Sequence, residues 1–90
     1  MKFVLNKCFG GPSLSGWAAG QLNLDSCYDV DYDSPELIDL IERHGSEKVS
    51  GHHSKLKVVE IPDTATDWEF NDYDGIESIT YVVDGKIYHA

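Results

Sequence analysis

Nowhere in this chain does an apolar run approach the roughly 20 residues that a membrane-crossing helix needs. The opening Met-Lys-Phe-Val-Leu turns polar at Asn6 and Lys7, too soon for the apolar core of a secretory leader. The sequence therefore leads us to expect a protein of the cytoplasm with no membrane partner. Cysteine is scarce. Cys8 and Cys27 are the only two, in no CxxC pair, a pattern that favours reduced thiols over a disulfide-stapled scaffold.

Positive charge is also scarce. Seven Lys and Arg face 16 Asp and Glu, for a formal charge of -9. The acids fall in two blocks, residues 25–42 and 58–85, neither of which holds a Lys or Arg, and Arg43, Lys48, Lys55 and Lys57 lie between them. Such a field repels phosphate backbones, so direct nucleic-acid binding is disfavoured, while a basic protein partner is permitted. The plainer role of so many acids is to keep a small protein soluble.

Recognisable catalytic patterns are missing. There is no Gly-x-Ser-x-Gly elbow, and Ser15 in Ser13-Leu14-Ser15-Gly16 suits a helix cap better than a nucleophile. Phe9-Gly10-Gly11-Pro12 lacks both a Gly-Lys-Ser ending and a GxGxxG pattern. Asp29-x-Asp31-x-Asp33 has the alternate carboxylates of a calcium loop, but Ser34 stands where the turn needs Gly and Leu40 where a bidentate Glu belongs. Asp72-x-Asp74-Gly75 fails in the same way, with Phe70 at the first ligand position. His44, His52, His53 and His89 form no HxxxH pair, and neighbouring histidines on an extended chain point apart. No catalytic residue, metal set or cofactor is assigned, and an enzyme is disfavoured.

What the chain does contain is the material of one domain. Ninety residues leave no room for a second core, bury roughly 60 to 65 per cent of the unfolded surface, and imply a stability on the order of 5 kcal/mol. Lys2 to Cys8 reads as a strand. Leu14, Trp17, Ala18 and Leu22 are spaced as one face of a helix capped by Ser13 or Ser15, weakened by Gly16 and Gly20. Residues 25–33 read as an exposed loop.

The strongest local signal follows. Ser34 as N-cap, Pro35 at the first helical position, and Leu37, Ile38, Leu40 and Ile41 before Gly45 predict a helix over 35–44. Residues 46–54 read as a loop, and Leu56 to Ile61 as a strand with Val59 and Ile61 on one face and Leu56 and Val58 on the other. Trp68 and Phe70 alternate with acids in a further strand, Asp72-Tyr73-Asp74-Gly75 is turn chemistry, and Ile79, Tyr81 and Val83 begin the last hairpin. Asp84-Gly85 closes it, placing Val82 opposite Ile87 and Tyr81 opposite Tyr88. The fold class is α+β, with two helices packed on one face of a mostly antiparallel sheet and a C-terminal β-hairpin whose open edge permits a homodimer.

Aromatic residues beside carboxylates suit a protein-docking patch. Tyr28, Asp29, Asp31, Asp33, Asp72, Tyr73 and Asp74 make up the candidate interaction surface. Trp68 and Phe70, in so small a domain, read as core.

Met1-Lys2-Phe3-Val4-Leu5-Asn6-Lys7-Cys8-Phe9-Gly10-Gly11 with Ser13-Leu14-Ser15 resembles the opening of a group of small uncharacterised proteins encoded in bacteriophage and prophage genomes. Leu56-Lys57-Val58-Val59-Glu60-Ile61-Pro62-Asp63, Trp68-Glu69 and Tyr73-Asp74-Gly75 resemble that group's later segments. The chain departs from it in its glycine-rich first helix and its Asp84-Gly85 hairpin. The resemblance implies a phage or prophage context in a bacterial host cytoplasm and supplies no catalytic residues.

Three roles are then open. The first is a non-enzymatic accessory module that binds a basic host or phage protein, one version being a mimic of nucleic acid with its acids on a continuous surface. The second is a small-molecule-binding or hydrolytic domain that uses the Cys8–Gly11 loop and a histidine. The third is a self-assembling structural component with an apolar edge at Ile87 and Tyr88.

Overall fold

Successive residues of a strand face opposite ways, and the first strand uses this to hold two layers together. In the computed structural model, which describes residues 1–90, this strand is β1 (Lys2–Asn6). Val4 turns into a cluster built with three short helices, while Phe3 and Leu5 turn into a second cluster with Ile61 and Ile79. β1 pairs antiparallel with β2 (Leu56–Glu60), Lys2 opposite Glu60 and Asn6 opposite Leu56. The faces of β2 divide as its alternation requires: Leu56 and Val58 join the helices, and Val59 and Ile61 join the other side.

The helical layer holds α1 (Gly16–Gln21), α2 (Pro35–His44) and α3 (Ser46–Val49). α1 is only six residues long, and its N-cap is Ser15, whose Oγ accepts from the Ala18 amide at 3.1 Å and donates to the Lys48 carbonyl at 2.8 Å. With two glycines inside it, α1 depends on burying Ala18 and Ala19 rather than on propensity. α2 starts where its cap predicts, the Ser34 Oγ accepting from the Leu37 amide at 3.2 Å, and it buries Leu37, Ile38, Leu40 and Ile41. Gly45, at φ +89°, turns the chain sharply into α3, which falls where the sequence reads as loop. Four residues with one apolar position carry no periodic signal. Tertiary burial decides the matter, since Val49 is fully enclosed.

The remaining strands form a second antiparallel sheet, β3 (Asp67–Tyr73), β4 (Ile76–Val83) and β5 (Lys86–His89), in that order. The α+β class, the antiparallel pairing and the C-terminal hairpin are as the sequence implies, with Val82 opposite Ile87 and Tyr81 opposite Tyr88. The strands divide between two sheets, stacked with β1 and β2 in the middle layer. Both hairpins of the second sheet turn on Asp-Gly pairs with positive φ at each residue, Asp74-Gly75 and Asp84-Gly85. Asp72 and Tyr73 belong to the end of β3, Tyr73 pairing with Ile76, rather than to the turn.

Trp68 and Phe70 correct the expectation that they are core. They are 40% and 45% exposed. Phe3 and Tyr32 pack against their face of β3, and the two-stranded middle layer is too narrow to roof the whole of a three-stranded sheet.

Candidate functional site

The two sheets meet at a polar junction inside the fold. Asn6, fully buried at the end of β1, donates its main-chain N–H to Glu77 Oε1 at 2.7 Å. Its Nδ2 donates to the Cys8 and Gly75 carbonyls at 2.8 and 2.6 Å, and its Oδ1 accepts from the Lys55 amide at 2.9 Å. The other carboxylate oxygen of Glu77 accepts from the Tyr32 hydroxyl at 2.6 Å. Lys7 Nζ caps the Glu77 carbonyl at 2.8 Å. Every buried side-chain polar atom has a partner, so this network joins the sheets without a stranded group.

Tyr32 carries the junction to the surface. Its carbonyl accepts from the Val4 amide at 2.7 Å, so the acidic loop before α2 is tied along β1. Burial, reinforced by the bond to Glu77, pushes its phenol up to about 12. With Tyr32 anchored inward, Asp31 and Asp33 on either side of it stand in solvent. Their carboxyl groups lie within hydrogen-bonding reach of one another, and this contact, with the repulsion between them, raises the pKa of Asp33 above its ordinary value.

Two hollows adjoin this loop and share Asp31. One is a groove of about 590 Å³ between the end of α1 and α2, floored by Leu22, Leu24, Leu37 and Leu40 and rimmed by Asp29, Asp31, Glu36 and Asp39. The other, of about 290 Å³, is walled by Phe3, Tyr32, Trp68 and Phe70, with Asp31 and Asp33 at its lip. Phe3 meets Phe70 edge-on with ring centres 5.3 Å apart and Trp68 at 6.1 Å, while Tyr32 leans on Phe70 at 5.8 Å. Neither hollow is lined by a Lys or Arg. Arg43 reaches back to Asp39 at 3.3 Å on exposed ground, the only nearby neutralisation, and such pairs are weak.

The candidate surface is thus brought together in part. Asp29, Asp31 and Asp33 line the hollows, and Asp72 sits near enough to Tyr32 to contribute to the raising of its pKa. Tyr73, 73% exposed, alternates to the opposite face of β3 from Asp72, and Asp74 lies in the hairpin turn, its carbonyl accepting from the Gly10 amide at 3.1 Å. Tyr28 stands apart, beside Cys27, His52 and His53 in a hollow of about 210 Å³ next to Gly10 and Gly11.

That last hollow bears on the Cys8–Gly11 loop. It is concave as a reactive site would need, but its thiol is Cys27, and Cys8 does not line it. Both cysteines are unpaired. His52 and His53 pack edge-on with ring centres 4.6 Å apart, against the expectation that neighbouring histidines diverge, because they sit in a turn rather than in extended chain. No three His, Cys, Asp or Glu side chains converge as metal ligands, and no helix is long and apolar enough to cross a membrane.

Sequence reasoning missed Asn6 and Glu77 as organising residues, and it missed Trp68 and Phe70 as surface, with Phe3 buried beneath them. The signal available for Glu77 was its place in β4 two residues before Ile79, on the same inward face; nothing local marked Asn6. In comparisons with known proteins, no family model, no curated protein and no solved structure matches this chain.

Proposed function

We propose that this protein is a non-enzymatic accessory module, of phage or prophage type, that acts in a bacterial cytoplasm by binding a basic segment of a partner protein. The observation that carries the reading is the continuity of the leucine-floored groove and the aromatic hollow through Asp31, with acids on both rims and no cation of the chain lining either. A leucine floor with carboxylate rims suits an amphipathic helix whose apolar stripe is flanked by Lys and Arg. Attraction by a field of net charge -9 would speed the encounter and make it sensitive to salt. Mimicry of a whole nucleic-acid surface draws less support, because Glu77 is buried and Lys2 and the N-terminal ammonium pair with Glu42 and Asp63.

The test is a titration with a labelled amphipathic peptide carrying a leucine stripe and a basic face, at low salt and at about 0.5 M salt. Binding that weakens with salt, and weakens again in Asp29→Asn/Glu36→Gln, is the expected outcome. Equal affinity for that variant, or for a peptide with its charges reversed, would refute the groove.

A self-associating structural role is favoured by one separate observation. Ile87 and Tyr88 are 67% and 42% exposed on β5. Ile79 and Ala90 exchange both main-chain bonds, so by alternation the amides and carbonyls of Ile87 and His89 point outward from a free edge. Sedimentation equilibrium over a wide concentration range decides this: a dimer dissociated by Ile87→Lys supports the edge, and a monomer throughout excludes it.

A further inference from the structure

We infer that the hollow formed by Phe3, Tyr32, Trp68 and Phe70 is a subsite for one arginine side chain of the partner segment, with its guanidinium against the aromatic faces and its N–H groups on Asp31 and Asp33. The inference rests on the docking function proposed above and names what that surface recognises.

The chain itself provides the comparison. It has two tryptophans. Trp17 is half-buried and already has its cation: Lys48 Nζ lies 4.4 Å from the centre of its ring, and His44 packs against its edge at 4.9 Å. Trp68 is 40% exposed, and the hollow it walls contains two carboxylates and no cation. A positive group over its ring would be attracted by the negative face of the indole and by both carboxylates at once.

The shape favours guanidinium over ammonium. A planar group fits along flat ring faces, and its weaker hydration lowers the cost of entry. Its fork of donors can engage two carboxyl groups, whereas an ammonium meets them as a compact point charge. Asp31 and Asp33 both stand at the lip of the hollow, which no Lys or Arg lines, so two carboxyl groups are on hand as acceptors for such a fork. Phe3 beneath the rings is only 7% exposed and packs against both of them, so the floor of the hollow is a core side chain.

Two labelled versions of the amphipathic basic peptide, one with arginine and one with lysine at every cationic position, separate this inference from the reading it rests on. Wild-type protein is expected to bind the arginine version about tenfold more tightly. Trp68→Ala should erase that preference while leaving the lysine peptide's affinity nearly unchanged. Because Trp68 rests on Phe3, Asp31→Asn/Asp33→Asn provides a second variant on exposed positions, and it should reduce the preference without disturbing the core. If both peptides bind wild-type protein equally, or the preference survives in these variants, the arginine subsite is wrong and the groove stands. If neither peptide binds, both readings fall.

Discussion

Replacing Asn6 by alanine should unfold this protein more effectively than any exposed substitution of the same chemistry. The side chain makes four hydrogen bonds: donations to the Cys8 and Gly75 carbonyls, and acceptances from the Lys55 amide and the Ser54 hydroxyl. Truncation strands two carbonyls and an amide, each costing about 1–3 kcal/mol when water cannot replace the partner. Residues 8, 54 and 75 are half-buried and residue 55 is exposed, so water reaches some of these groups and the lower end applies. The sum is about 3–4 kcal/mol, most of a stability on the order of 5 kcal/mol. With a urea slope of about 1 kcal/mol per molar, the midpoint should fall by about 3 M. Asn6→Asp should fare no better, since it puts a carboxylate oxygen where the Cys8 and Gly75 carbonyls need a donor. Asn71→Ala removes an exposed amide bonded to Thr80 and should cost under about 1 kcal/mol. Urea unfolding followed by tryptophan fluorescence measures all three. A loss below about 1 kcal/mol for Asn6→Ala, at unchanged slope, would refute the claim that this residue joins the two sheets.

Further outcomes follow from the same geometry. Tyr32 holds its proton to about 12 in the fold, against about 10 when unfolded; between those values the folded state binds more protons, so stability falls as pH rises through the window. The urea midpoint should decline there in wild-type protein and decline less in Tyr32→Phe, and parallel declines would remove Tyr32 as the cause. Gly75→Ala would set a Cβ against the Gly11 amide at φ +90° and should cost about 2 kcal/mol or more. Gly85→Ala, with similar φ but open space around it, should cost only the backbone strain of about 1 kcal/mol; equal losses would show that the loop yields. Asp33→Asn removes the repulsion from Asp31 and should raise the melting temperature at neutral pH while weakening the basic peptide. A lowered melting temperature would contradict the repulsion.

The readable parts of the fold were those with local causes. Ser34, Pro35 and the spacing of Leu37, Ile38, Leu40 and Ile41 fix α2 without help from the rest of the chain, and Asp84-Gly85 fixes the last register. What escaped were features that exist only between distant segments. α3 depends on a cavity that accepts Val49, and the joining of the two sheets depends on Glu77 meeting Asn6 across 71 positions of sequence. Trp68 and Phe70 alternate as a core strand would, and nothing in that pattern reveals that the opposing layer is only two strands wide. The acids of the site were readable as a charged loop. Their association with an aromatic hollow was not, because Phe3 lies 65 residues from Trp68.

The arrangement separates the residues that hold the site from those that would touch a partner. Tyr32 is fixed at its carbonyl by Val4 and at its hydroxyl by Glu77, and Glu77 is fixed in turn by Asn6. Anchoring the middle residue of Asp31-Tyr32-Asp33 leaves the outer two to face solvent, so the buried carboxyl of Glu77 determines where two exposed carboxyls stand. The exposed pair carries a repulsion that stabilises nothing in the free protein, whereas the buried network is fully satisfied. A fold of marginal stability keeps an uncompensated pair at a cost, and a bound cation would remove that cost. The loss of fold and the loss of recognition should therefore separate cleanly, the first following Asn6 and Glu77 and the second following Asp31, Asp33 and Trp68.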